Sequence, residues 1–191
     1  RVGFFTSPHL VKLNERIRIN GKDIDDDTFC RIFAKVRQVA EELEKEGLEH
    51  PSYFEFLYGM GMLAFEENDA EYIVLETGLG GTYDSTNACG VPDVTVIAKI
   101  GFDHMAILGD TLAKIAAEKA GIIKHGTALV LESQEKEAMD VLNKAAERAD
   151  IKTTKVVNLD EIRILPQKDG KQCFSYAGYD AVTMKMLGVH Q

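Results

Sequence analysis

The sequence predicts an α/β domain on a doubly wound, mostly parallel sheet, followed by an antiparallel extension. Three observations predict it. Apolar runs of strand length recur along the chain: "VGFFTS" near the start, "YIVLE" at 72–76, "DVTVIAKI" at 93–100 and "TALVLE" at 127–132. Segments with helical apolar spacing lie between them. The runs are also continuous rather than alternating, which is the pattern of strands covered on both faces.

In order along the chain, "VGFFTS" reads as a strand ended by Pro8. "ERIRINGKD" alternates Ile17 and Ile19 with charged neighbours and meets a turn signal at Asn20-Gly21, so it reads as an exposed strand or hairpin arm. A helix follows over 26–46, with Phe29, Ile32, Phe33, Val36 and Val39 or Ala40 on one face and Gly47 as its stop. The next covers 52–68, with Phe54, Leu57, Tyr58, Gly61 and Phe65 on a stripe. Helices over 110–120 and 134–149 separate or follow the later strands. After residue 150 the pattern changes to short strands with glycine turns, "EIRIL", "KQCFSYAG" and "AVTMKML". The expected division is a parallel α/β part over 1–150 and an antiparallel extension of the same domain over 151–191.

At 191 residues the chain can bury one sizeable core. Its net charge of −9 argues against a nucleic-acid surface, which needs clustered Lys and Arg. An anionic small molecule stays open, since a metal or a helix N-terminus inverts the field locally. Cys30, Cys89 and Cys173 show no metal or redox spacing and suit a reducing cytoplasm. No run is long enough to span a membrane, so no membrane partner is expected. The chain starts at "RVGFFTS", inside a strand, and stops at "LGVHQ" just after another, so a longer parent is expected.

In an open parallel sheet, ligands sit beyond the carboxyl ends of the strands. Three runs end in groups suited to a metal or phosphate: Ser7 after "GFFT", Glu76 after "YIVL", and Asp103 with His104 after "VIAKIGF". A hydroxyl, a carboxylate and an imidazole on one edge suit a divalent cation, Mg²⁺ above all beside phosphates. Taken singly, Ser7 also reads as a turn residue, Glu76 as a solvated loop acid and His104 as hydrogen-bonded filler. Leu112, Ile115, Ala116 and Lys119 follow helical spacing, which puts Lys119 on the buried stripe. Its stem either snorkels outward or holds the amine at the site. There desolvation would favour the neutral amine, which can take up carbon dioxide and become an anionic carbamate. "ETGLGGTYDSTN" places three glycines behind Glu76. Ser52 and Glu55 of "SYFE" have capping-box spacing, and a helix N-terminus also attracts anions.

Together, "VGFFTSPHLVKLNERIRING", "SYFEF", "LETGLGGTYDSTN" and "IGFDHMAILGDTLAKIAAEKAGIIK" resemble the folylpolyglutamate synthase and dihydrofolate synthase family of the wider Mur-ligase group. The strings span about residues 2–126 in the family's order. The resemblance implies the central, P-loop-like ATPase domain of an ATP-dependent ligase. In such a ligase a folate or dihydropteroate carboxylate becomes an acyl phosphate, which the amine of L-glutamate then attacks. It implies Mg²⁺ ligation by Ser7, Glu76 and His104, carbamylation of Lys119, and contact of Ser52, Tyr53, Phe54 and Glu55 with the pterin-bearing substrate. Glu76, His104 and Lys119 would be the catalytic set, in a cytoplasmic monomer. The resemblance departs at Thr82-Tyr83, where many members carry Arg-Leu. The family's phosphate-binding loop, with the first βα unit, would precede residue 1, and its C-terminal domain would follow "GVHQ". The 191 residues alone are therefore expected neither to bind ATP tightly nor to turn over. Two other readings stand beside this one: another Mur-type amino-acid ligase, disfavoured by "SYFE" and the "DHMAILGDTLAKIAAEKAGI" pattern, and a non-catalytic Rossmann-like nucleotide-binding module.

Overall fold

Asn20 and Gly21 both take positive φ, 50° and 77°, and reverse the chain within two residues. This hairpin joins β2 (Ile17–Ile19) to β3 (Lys22–Asp23), with Ile19 opposite Lys22. The computed structural model describes residues 1–185. These form two compact units, Arg1–Gly90 with Glu118–Ile122, and Val91–Ala117 with the chain from Ile123 onward.

In the first unit, β1 (Val2–Phe5) pairs antiparallel with β2 and parallel with β4 (Tyr72–Leu75), giving the order β3-β2-β1-β4. Two helices connect β3 to β4. Helix α1 (Asp26–Lys45) starts where Asp25 accepts a 2.7 Å hydrogen bond from Thr28 N, and Gly47 follows its end at φ 88°. Helix α2 (Tyr53–Glu67) starts on the expected capping box: Ser52 Oγ accepts from Glu55 N, and Glu55 Oε2 accepts from Ser52 N at 2.7 Å. Phe5, Ile17, Ile24, Ile32, Leu57, Met60, Ala64 and Phe65 make the core of this unit. Each large side chain so buried contributes about 1.5–3 kcal/mol. Gly3 is required there, because a Cβ would come within 2.5 Å of the Phe65 ring.

The expected face of α1 is narrower than its spacing suggests. Ile32 and Ala40 are buried, with Phe29 and Val36 at the margin, while Phe33 and Val39 are exposed. Each exposed residue sits next to a core position, a hundred degrees around the helix. Phe33 instead meets Phe56, ring centres 5.3 Å apart.

The second unit holds β5 (Val94–Ile97), β6 (Ala128–Glu132) and β7 (Thr153–Val157), all parallel, in that order. Helices α3 (Met105–Leu108), α4 (Leu112–Ala120) and α5 (Lys136–Arg148) lie in the connections, and the last turn of α4 belongs to the first unit. The parallel sheet therefore takes one strand more than expected before the antiparallel run. "TTKVV" was hidden from sequence reading by its polar half, yet Val130 pairs with Lys155 and Leu131 with Val156. The antiparallel strands are β8 (Arg163–Lys168), β9 (Lys171–Tyr176) and β10 (Tyr179–Lys185). Met186 and Leu187, expected in the last strand, lie outside the described residues.

The expectation of strands covered on both faces needs correction at β4 and β5. Tyr72, Ile73 and Val74 are exposed, and β5 alternates, with Thr95 and Ile97 buried and Val94 and Val96 open. Both are edge strands of their sheets, so apolar content alone overstates their cover. The mixed α/β class with parallel and antiparallel sheets is as expected.

Candidate active site

The parallel register of β1 and β4 sets Phe5 opposite Leu75, so Ser7 and Glu76 emerge at the same carboxyl edge. Glu76 N donates to Phe5 O at 3.0 Å, extending the ladder by one residue. Glu76 Oε2 then accepts from Thr6 Oγ1 and, at 3.1 Å, from Ser7 N. Thr6 was not singled out in the sequence. Its signal was position alone, as the residue between the strand and Ser7. Ser7 Oγ and Glu76 Oε1 have no hydrogen bond among the described residues. Two hard oxygens without protein partners among the described residues, on neighbouring strand ends, are of the kind a magnesium ion takes while keeping several of its waters.

The glycine loop behind Glu76 is organised by a side chain that sequence reading passed over. Asp84 Oδ2 accepts from Gly78 N at 3.0 Å and Leu79 N at 2.9 Å, while Oδ1 accepts from Thr86 N and Thr86 Oγ1 at 3.0 and 2.6 Å. Asp followed two residues later by Thr is the sequence form of such an Asx turn. Asn87 Nδ2 bridges Thr82 O and Gly121 O, each at 3.1 Å. The glycines themselves serve close approach. A Cβ on Gly81 would stand 2.6 Å from Glu118 O, and one on Gly121 would stand 2.5 Å from Thr82 Cα.

That contact fixes the end of α4 that carries Lys119. Thr82 N and Oγ1 both donate to Glu118 O, at 3.0 and 3.2 Å. Ile115 and Ala116 are buried, and Lys119 is half-buried on the same stripe, as the spacing predicts. Thr82 thus has a structural use in this chain, whereas Tyr83 beside it projects almost fully into solvent.

His104 belongs to the other unit. It stands at the N-cap position of the short helix α3 in a left-handed conformation, φ 49°, a region that His, Asn and Asp enter more readily than most side chains. Its backbone N donates to Asp103 Oδ1 at 2.7 Å, and its ring Nε2 lies 3.7 Å from Asp103 Oδ2. Both side chains are exposed. Among the described residues no group of three or more His, Cys, Asp or Glu gathers at metal spacing. The expected set contains only two such residues, the others being a serine and a lysine that becomes acidic only as a carbamate.

In "SYFE", Ser52 and Glu55 are committed to the helix cap. The Ser52 hydroxyl, and then its backbone N–H, hold the Glu55 carboxyl below the usual range. Phe54 points inward, edge-on to Phe5 at 5.7 Å and against Gly78, where a Cβ would meet its ring at 2.5 Å. Tyr53 is 60% exposed and takes no part in the cap.

With this geometry in place, comparison with known proteins is specific. The Mur ligase middle domain model matches residues 49–191. A folylpolyglutamate synthase of Arabidopsis thaliana is 39% identical over 194 residues, covering 100% of this chain and 34% of that protein. The dihydrofolate synthase/folylpolyglutamate synthase of Bacillus subtilis is 42% identical over 148 residues, covering 77% of the chain and 34% of its own length. The chain thus spans about a third of the length of these curated relatives. Among solved structures, the Mycobacterium tuberculosis folylpolyglutamate synthase complexed with ADP and AMPPCP superposes with a TM-score of 0.79 at 31% identity, covering 99% of this chain and 45% of that one. An FPGS-AMPPCP-folate complex gives 0.80 at 29% identity, with 91% and 42% covered.

Proposed function

Since the chain belongs to the Mur ligase family, as its middle domain, we propose that it serves an ATP-dependent amide ligase that joins L-glutamate to the carboxylate of a folate or dihydropteroate. The observation that carries this reading is the Ser7–Glu76 pair at one strand edge, followed by the glycine loop packed on the turn of Lys119. The relatives' names, and the AMPPCP and folate of the neighbouring structures, support the substrate class.

In this reading the γ-phosphoryl group of ATP passes to the substrate carboxylate, forming an acyl phosphate and ADP. The glutamate amine adds to the acyl carbon, and the tetrahedral intermediate expels phosphate as the nitrogen loses its proton. Ser7, Glu76, His104 and carbamylated Lys119 would hold Mg²⁺, with His104 assigned from its motif. The ion would neutralise charge on the phosphoryl oxygens. Thr6 Oγ1 and Ser7 N hold one oxygen of Glu76, which fixes the plane of the carboxylate and leaves Oε1 for the ligand. At Lys119 the neutral amine adds to carbon dioxide, a nitrogen–carbon bond forms, a proton leaves and a cation becomes an anion. Tyr53 and Phe54 would border the pterin-bearing substrate. The reading includes a cytoplasmic monomer without nucleic-acid or membrane partners.

The test uses the protein expressed from the complete reading frame. ADP release is followed with glutamate, offering dihydropteroate and a reduced folate in separate reactions. Glutamate-dependent release with either is expected, and it assigns the step. A folded protein that binds ATP and turns over neither would overturn the reading in favour of another amide ligase or a binding module. Lys119→Ala should lower turnover by about a hundredfold or more if the lysine supplies a metal ligand, whereas nucleotide binding by a mere binding module would hardly change.

A further inference from the structure

The last carbonyls of a helix have no partner within it. At the end of α4 a distant loop supplies partners for two carbonyls that flank Lys119. Glu118 O accepts from Thr82 N and Thr82 Oγ1, and Gly121 O accepts from Asn87 Nδ2 at 3.1 Å. An amide nitrogen carries two hydrogens, and the second goes to Thr82 O, also at 3.1 Å. Gly81 lies directly on this turn, where a Cβ would stand 3.1 Å from Lys119 Cα.

Asn87 belongs to the 3₁₀ turn Ser85–Ala88, whose N-cap is Asp84. Asn87 N donates to Asp84 O at 2.9 Å, so the two polar side chains leave one tight turn. They hold different segments. Asp84 Oδ2 accepts from Gly78 N and Leu79 N, just beyond Glu76, whereas Asn87 holds the turn just beyond Lys119. The turn is therefore a bracket with the backbone of Glu76 in one arm and that of Lys119 in the other. All of it lies within the first unit.

Nothing holds Lys119 at its tip. The residue is half-buried, and its amine makes no hydrogen bond or ion pair among the described residues. The place of the amine is set at the root of the side chain, and a flexible four-carbon stem magnifies any tilt there.

We propose that Asn87 is a positioning residue for Lys119: through Gly121 O it fixes the turn from which the lysine leaves, and so sets the reach of its amine or carbamate toward Glu76. This rests on the ligase reading for the carbamate and for the Mg²⁺ ion that the two side chains would share. Asn87 acts only through the backbone that it holds. Removing a group that orients a metal ligand without binding the metal costs about 10–100-fold in metal affinity or activity.

The test uses the protein expressed from the complete reading frame, in ¹³C-labelled bicarbonate with AMPPCP present. The carbamate carbon is observed by NMR as Mg²⁺ is added. A signal that Lys119→Ala abolishes is expected, which assigns it. Asn87→Ala should need about tenfold more Mg²⁺ to develop the same signal. A variant that melts at lower temperature but keeps the wild-type Mg²⁺ dependence would overturn the proposal, because Asn87 would then serve stability alone. Should Asn87→Ala not fold, Asn87→Ser, which keeps a donor for one carbonyl, takes its place under the same two outcomes. Turnover gives a second readout. On a Lys119→Ala background, Asn87→Ala should add little further loss, whereas additive losses would overturn the proposal. Glutamate-dependent ADP release by a wild type that forms no carbamate would discard the proposal and keep the ligase reading. A carbamate with the expected Mg²⁺ dependence, in a protein that releases no ADP, would keep the role of Asn87 and discard that reading.

Discussion

The loop after β4, residues 76–87, and the loop after β5, residues 98–109, both leave an apolar parallel strand, and both carry a residue read as a metal ligand. They are built on different plans. The first is locked through its backbone: Asp84 takes four hydrogen bonds, Asn87 bridges two carbonyls, and Gly81 and Gly121 admit contacts that no side chain would allow. The second is anchored only at its root, where Gln134 accepts from Ile100 N at 2.7 Å and donates to Ala98 O at 2.9 Å. From 101 to 109 the hydrogen bonds among described residues stay local, and Phe102, Met105 and Ile107 are exposed. One loop makes a rigid wall for Lys119 and Glu76. The other presents His104 on a short arm. Local stability differs accordingly, and arms of the second kind are the parts of proteins that open most readily.

The sharpest way to break this comparison is a pair of glycine substitutions. In Gly121→Ala the new methyl meets Thr82 Cα at 2.5 Å and Thr82 N at 2.7 Å, and backbone cannot step aside as a flexible side chain would. The expected cost is about 2–3 kcal/mol, a fall in Tm of about 5–10 °C. In Gly101→Ala nothing lies within 4 Å, so stability should change by less than about 0.5 kcal/mol or rise slightly through the unfolded chain. Thermal melts of the two variants check this. Equal losses would mean that the first loop is no more tightly packed than the second.

Much of this frame could be read from the residues, and the gaps have physical causes. The hairpin at Asn20-Gly21, the capping box at Ser52 and Glu55, and the half-buried Lys119 follow from local rules of φ, spacing and period. The Ser7–Glu76 pairing needed only that β1 and β4 be neighbours. Asp84 and Asn87 escaped because their work is hydrogen bonding to backbone groups brought close by tertiary contact, which leaves no periodic trace. Arg16 escaped for the opposite reason: a charged residue between Glu15 and Ile17 looks like the outward position of an alternating strand, and only the fold buries it.

A pair of carboxylates sharpens the comparison at intermediate size. Asp84→Ala leaves Gly78, Leu79 and Thr86 without their acceptor and should cost about 2 kcal/mol. Asp103→Ala removes one bond to the next residue's N–H, and its exposed site allows water to replace it, so at most about 0.5 kcal/mol is expected. Urea unfolding of each variant measures the difference. A larger loss at Asp103 would make the β5 loop the more ordered of the two.

The smallest effect concerns a third loop, residues 10–12, which copies the Asp84 plan at the surface. Three backbone N–H groups, of Leu10, Lys12 and Val11, bind the Glu15 carboxylate and lower its pKa from 4.5 to about 2. A carboxyl whose folded pKa is depressed stabilises the fold fully above the unfolded value, and that contribution fades as pH falls from about 4.5 towards 2. Glu15 is exposed, so solvent screens the effect and only its pH dependence is diagnostic. The midpoint difference between wild type and Glu15→Gln in urea should therefore be constant from neutral pH down to about 5 and narrow steadily in acid. A difference that persists undiminished at the acid end would mean that Glu15 acts through packing. The carboxylate clamp would then belong to the glycine loop alone, and the surface loop would resemble the β5 arm instead.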